Sequence, residues 1–136
     1  MERGVAADRL RRLHAAQGAF YAGEPADELR TLLAPDIVWH VPGSNAIAGV
    51  YEGIDAVLDY FARRRDLAGR TFRMHPGELL AGDGDYAAVL TDGTAVIDGE
   101  EQRWSTVGLY RFRGEQIAAC WLLPLDAAAF DRIWRG

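Results

Sequence analysis

A histidine stands near the end of an apolar run in "IVWHVPGSNAIAG", Ile37 to Gly49, and Pro42-Gly43 stops the run just after it. An imidazole with an ordinary pKa near 6.5 takes and returns a proton around neutral pH, so His40 is a candidate general acid or base. The plainer alternative is an imidazole that hydrogen-bonds a loop carbonyl or caps a wall. Asp92, in "VLTDGTAV", is a carboxylate poorly suited to strand structure and is followed by Gly93. It marks either a bulge at a sheet rim or an inward carboxylate that orients, or shares a proton with, His40. Asn45 and Tyr51, in the segment after His40, offer hydrogen bonds at a pocket mouth, although Asn45 also suits its own turn. Cys120 has no neighbour in sequence to lower its pKa and reads as a small buried hydrophobe. His75, just before Pro76-Gly77, is a secondary pocket candidate, and Asp126 has the position of a helix N-cap.

The elements that must position these groups follow from periodicity. Leu10, Leu13, Gln17 and Phe20 recur at helical spacing between about Val5 and Ala22, and Gly23 stops the run. Leu29, Leu32 and Leu33 mark a short second helix between Pro25 and Pro35, and "DIVWHV" reads as a strand. After an irregular loop, Ile54, Val57, Leu58 and Phe61 form the strongest helical stripe, ended by Gly69. From Arg70 the period becomes two, through "TFRMH", "DYAAVLTDGTAVI", "QRWSTVGLYRF" and "EQIAACWLL". Turns at Gly82-Asp83-Gly84, Asp98-Gly99 and Arg113-Gly114 make these consecutive antiparallel strands, and a last helix runs from Asp126 to Trp134. Helices gathered on one face of an antiparallel sheet make one α+β domain over residues 1–136, with room for an apolar pocket.

Composition narrows the partners. A net charge of -5 argues against a nucleic-acid binder, and the one basic run, Arg63-Arg64-Arg65, reads as a solvated helix end. One cysteine makes no internal disulfide, no Cys/His spacing matches a zinc site, and no metal or other cofactor is expected. No segment approaches the ~20 apolar residues of a membrane span, and a cytoplasmic location is the default expectation.

With these elements in place, "VWHVPGSNAIAGVYEGIDAVLDYFA" and "GEQIAACWLLPLDAAAFDRIW" resemble the SnoaL-like polyketide cyclases, a branch of the ketosteroid-isomerase-like fold shared with nuclear transport factor. The resemblance implies a cone: a curved antiparallel sheet with helices packed on its concave face around a hydrophobic cavity. It also implies a hydrophobic small-molecule substrate, catalysis without a cofactor, and a homodimer formed through the outer sheet face.

The same resemblance assigns roles. His40 matches the position where steroid isomerases hold a general-base carboxylate facing the cavity. Their oxyanion-hole positions fall near Ala16 and at Gly108, which have no donor side chain, so a standard steroid isomerase is set aside. Final-strand carboxylates of polyketide cyclases are replaced by Ala119, Leu122 and Leu125. No arginine reads as inward-facing, which sets aside the Asp-Arg-Asp epoxide hydrolases. With Gly108 toward the cavity, alternation brings Trp104, Thr106, Tyr110, Cys120 and Leu122 to it and leaves Val107, Leu109 and Trp121 outside. The expected activity is a cyclisation, isomerisation or elimination on a polyketide-like molecule, with His40 and Asp92 moving the proton. A non-catalytic binding or assembly module is the alternative, as is a pocket that only folds its substrate for pericyclic closure.

Overall fold

The computed structural model describes residues 2–81 and 84–135. Two helices, α1 (Arg3–Tyr21) and α2 (Asp27–Leu32), precede strand β1 (Leu33–Val41) and a short strand β2 (Gly49–Glu52). Helix α3 (Ile54–Leu67) leads into β3 (Arg73–Ala81), β4 (Tyr86–Ile97), β5 (Glu100–Arg113) and β6 (Gln116–Pro124), and α4 (Ala127–Ile133) closes the series. The expected turn at Gly82-Asp83-Gly84 falls largely outside the described residues.

The six strands form one sheet in the order β2-β1-β6-β5-β4-β3. Neighbours are antiparallel except β1 and β6, which run parallel with Trp39 opposite Cys120 and His40 opposite Trp121. This is the α+β cone that the resemblance implies, with α1 and α3 against its concave face. α1 buries Leu10, Leu13, His14, Gln17, Phe20 and Tyr21, and α3 buries Val57, Leu58, Tyr60, Phe61 and Arg64. Their partners across the sheet are Ile37, Trp39, Val41, Ala87, Val89, Tyr110, Phe112, Cys120 and Leu122, all buried.

Three local expectations are corrected. The loop after Pro42 contains a strand, β2, paired to β1 through Trp39–Tyr51 and His40–Val50. Its four residues are too few to display a period. Asp92 makes no bulge, since β4 pairs with β5 in unbroken register from Tyr86 to Ile97. Arg63-Arg64-Arg65 is not a uniformly solvated helix end: Arg64 is only 5% exposed. It falls three residues after Phe61, on the stripe that α3 turns toward the sheet.

Candidate functional site

A pocket lies between α1, α3 and the concave face of the sheet. It is lined by His14 and Gln17 from α1, Arg64 from α3, Trp39 from β1, Thr91 and Gly93 from β4, Trp104, Thr106, Gly108 and Tyr110 from β5, and Leu122 from β6, with Phe72 and Met74 at its edge. Its free volume is about 30 Å³, enough for one or two waters. Outside it, a groove of about 490 Å³ runs between α1 and β3 past Leu10, Arg11, Pro76, Leu79 and Val89. His14 and Met74 line both spaces, so they stand where groove and pocket meet.

Two glycines shape this interior. A Cβ on Gly93 would lie 2.5 Å from Trp104 Cε2, and one on Gly108 would lie 2.7 Å from the Tyr110 hydroxyl. Each lets an aromatic ring from the same face lie over the strand. The far end is covered by α4, whose Trp134 packs against Trp104 and Phe72 with ring centroids 5.2 and 5.9 Å away. Asp126 caps α4 by accepting from the Ala129 amide at 3.0 Å. Asp131 Oδ1 tethers it by accepting from the Ser44 amide at 3.0 Å and Asn45 Nδ2 at 2.7 Å.

The electrostatics concentrate on a few groups. Burial, with the Arg64 guanidinium adding to it, lowers the His14 pKa to about 4, leaving a neutral imidazole at pH 7. The Tyr110 hydroxyl sits 3.5 Å from His14 Nε2, and burial pushes its pKa well up. Arg64 donates through Nε, at 3.0 Å, and through Nη2 to the Tyr21 hydroxyl. The rings of Tyr60, Phe72, Tyr21 and Phe61 surround its guanidinium carbon at 4.8 to 5.6 Å. Burial likewise raises the Cys120 thiol well above its usual pKa, so it is a protonated core side chain rather than a nucleophile.

The residues singled out from sequence divide by location. Trp104, Thr106, Tyr110 and Leu122 line the pocket, and Cys120 is buried beneath it. Asn45 and Tyr51 lie elsewhere: Asn45 accepts from the Ile47 amide besides holding Asp131, while Tyr51 donates to the Ile47 carbonyl at 2.6 Å and stacks on Tyr60. His40 faces the convex side. Its Nδ1 is 3.0 Å from the Cys120 carbonyl, and its ring stacks on Trp121 at 4.9 Å. The expectation of a cavity-facing His40 is therefore corrected, because alternation turns it away once Trp39 faces in. Asp92 is corrected in the same way: it is exposed, accepts from Ser105 Oγ at 2.6 Å, and has β6 and β5 between it and His40. With His75 it lines an open depression of about 720 Å³ along β4 and β5.

Sequence reasoning missed His14 and Arg64. Both carried a signal: each is a polar side chain on the apolar stripe of its helix, four residues after Leu10 and three after Phe61. The inward-facing arginine that seemed absent is Arg64, but no carboxylate among the described residues lines the pocket with it.

The profile of the SnoaL-like domain matches residues 10–120. The chain belongs to the SnoaL-like domain family. Its fold is close to that of Bal32a, from a soil-derived mobile gene cassette: TM-score 0.88, 25% identity, covering 99% of this chain and 100% of that one. A putative SnoaL-like polyketide cyclase from Jannaschia sp. CCS1 is similar at TM-score 0.77 and 16% identity over 96% of this chain and 92% of its own. TerC, co-crystallised with polyporic acid, gives TM-score 0.76 and 17% identity over 94% and 98%. No curated protein matches the chain in sequence. Among the described residues, no helix of this SnoaL-like chain is long and apolar enough to cross a membrane.

Proposed function

We propose that this SnoaL-like protein is a small-molecule tailoring enzyme that works without a cofactor and uses His14 as its proton-transferring group. The observation that carries the reading is that His14 lines both the outer groove and the inner pocket, as a neutral imidazole. With a pKa of about 4 it is about as basic as a carboxylate, the strength that ketosteroid isomerase uses in its aspartate base. Apolar walls and the adjoining Tyr110 hydroxyl suit abstraction of a proton next to a carbonyl and its return elsewhere, the common step of isomerisation, elimination and aldol-type cyclisation. The substrate class is a hydrophobic, oxygenated molecule whose body occupies the groove, in keeping with family membership and with the polyporic acid held by TerC.

The test is hydrogen–deuterium exchange at the acidic carbon of an aryl β-keto ester in D2O, followed by NMR. Wild-type protein accelerates the exchange, His14→Ala loses about 10²–10⁴ of the acceleration, and His40→Ala keeps it. Exchange that survives His14→Ala but disappears in His40→Ala returns the role to the convex face. A second reading, a binding module without catalysis, is favoured by a pocket lining that holds no carboxylate among the described residues. It predicts saturable binding of the ester with exchange no faster than in buffer.

The reading includes a homodimer. Val50 and Leu123 are 59% and 45% exposed on the convex face, beside His40 and Trp121 in one shallow apolar hollow. A second copy of this face covers them.

A further inference from the structure

A guanidinium does not lose its proton inside a protein, and a buried charge is costly unless paired. Arg64 is buried, yet among the described residues it has no carboxylate partner: its five N–H donors meet one acceptor atom, the Tyr21 hydroxyl. The ring cage offsets part of the cost, since cations are attracted to aromatic faces. Apart from the Tyr21 hydroxyl, the cage accepts none of the guanidinium's hydrogen bonds, and Nη1 makes none among the described residues. The walls of the same pocket hold further unpartnered buried polar atoms: Trp39 Nε1, Thr91 Oγ1 and Gln17 Oε1. Of these, the indole can only donate and the threonine hydroxyl is able to.

Resting on the pocket assigned above, we infer that Arg64 is the receptor for an anionic oxygen group of the ligand, so that the molecule accepted is an apolar body ending in a carboxylate or an equally acidic enol. Size agrees with charge. The inner pocket of about 30 Å³ fits a head of one or two heavy oxygens and little else, while the groove of about 490 Å³ beyond His14 and Met74 takes the body. The head replaces the missing carboxylate partner of Arg64 and offers acceptors to Trp39 and Thr91. Bidentate pairing with a planar fork gives the site a preference for carboxylate geometry over a single point anion.

The probes are 3-phenylpropionate and 4-phenylbutyrate with their methyl esters, titrated into the whole protein while NMR follows the Arg64 Nε–H and the His14 imidazole. The acids bind at least tenfold more tightly than the esters, shift the Arg64 resonance, and move the His14 titration upward, because the anion offsets the guanidinium charge. Arg64→Gln abolishes the acid preference, and Arg64→Lys, which keeps a point charge but not the planar fork, reduces it severalfold. If Arg64→Gln does not fold, Arg64→Lys and the wild-type comparison still decide. Acids and esters that bind alike in the pocket overturn the role of Arg64 and leave the pocket reading standing. Probes that move no pocket resonance overturn both.

Discussion

His14 is the residue on which most of the site chemistry turns, and its burial has a consequence for stability. Its folded pKa of about 4 lies below the ordinary imidazole value of 6.5. Between those values the unfolded chain binds a proton that the folded chain excludes, so stability falls as the pH drops from about 6.5 toward 4. The loss attributable to this one group is about 3 kcal/mol. Urea unfolding at pH 7 and pH 4 shows wild type losing about that much more than His14→Gln, which has no such proton to bind. Equal losses in the two proteins would mean that His14 titrates freely. The sequence held the right clue for the neighbouring misplacement. Alternation in "IVWHV" puts Trp39 and His40 on opposite faces, and Trp39 is the larger apolar group, so the cavity is its natural destination. Resemblance to a position in another family turned His40 inward against that parity. Arg64 was hidden for a different reason: an arginine among arginines looks solvated, and only the three-residue step from Phe61 places it on the packed stripe.

At the scale of elements, the site depends on strands that bring rings together without side chains in the way. Gly93→Ala puts a methyl 2.5 Å from the Trp104 ring, so the variant either displaces Trp104 or loses about 1–3 kcal/mol. Tryptophan emission and a denaturation midpoint read the two outcomes, and an unchanged protein would show that Trp104 has room to give. The hold on α4 is a second such dependence. Asp131→Ala removes the acceptor for the Ser44 amide and Asn45 amide group, and a loss of about 1–2 kcal/mol is expected in the same measurement. The helices and long strands were legible because periods of 3.6 and 2 persist over many residues. β2 was not, since Gly49–Glu52 is too short to show a period and owes its form to pairing with β1. Asn45 looked like a pocket residue because its partner, Asp131, lies in a helix at the far end of the chain, a proximity that only the fold creates.

For the whole molecule, the proposed assembly rests on the convex face. Val50 and Leu123 lie in its exposed apolar hollow, and the proposed homodimer covers them there. Val50→Lys combined with Leu123→Glu converts a dimer to a monomer in light scattering while the groove on the other face keeps its probe binding. A wild-type protein that is monomeric at micromolar concentration sinks that assembly.

The sheet also closes late in the chain. β1, near the start, lies between β2 and β6, and it meets β6 only after everything between Val41 and Gln116 has been produced. A ribosome therefore holds a nascent chain in which Trp39 and His40 have half of their pairing missing until the final strand emerges. Long-range closure of this kind slows folding and leaves an open edge in the meantime. Bacterial expression at low temperature, or with holdase chaperones present, is expected to raise soluble yield more for this protein than for a domain whose sheet closes as it is made.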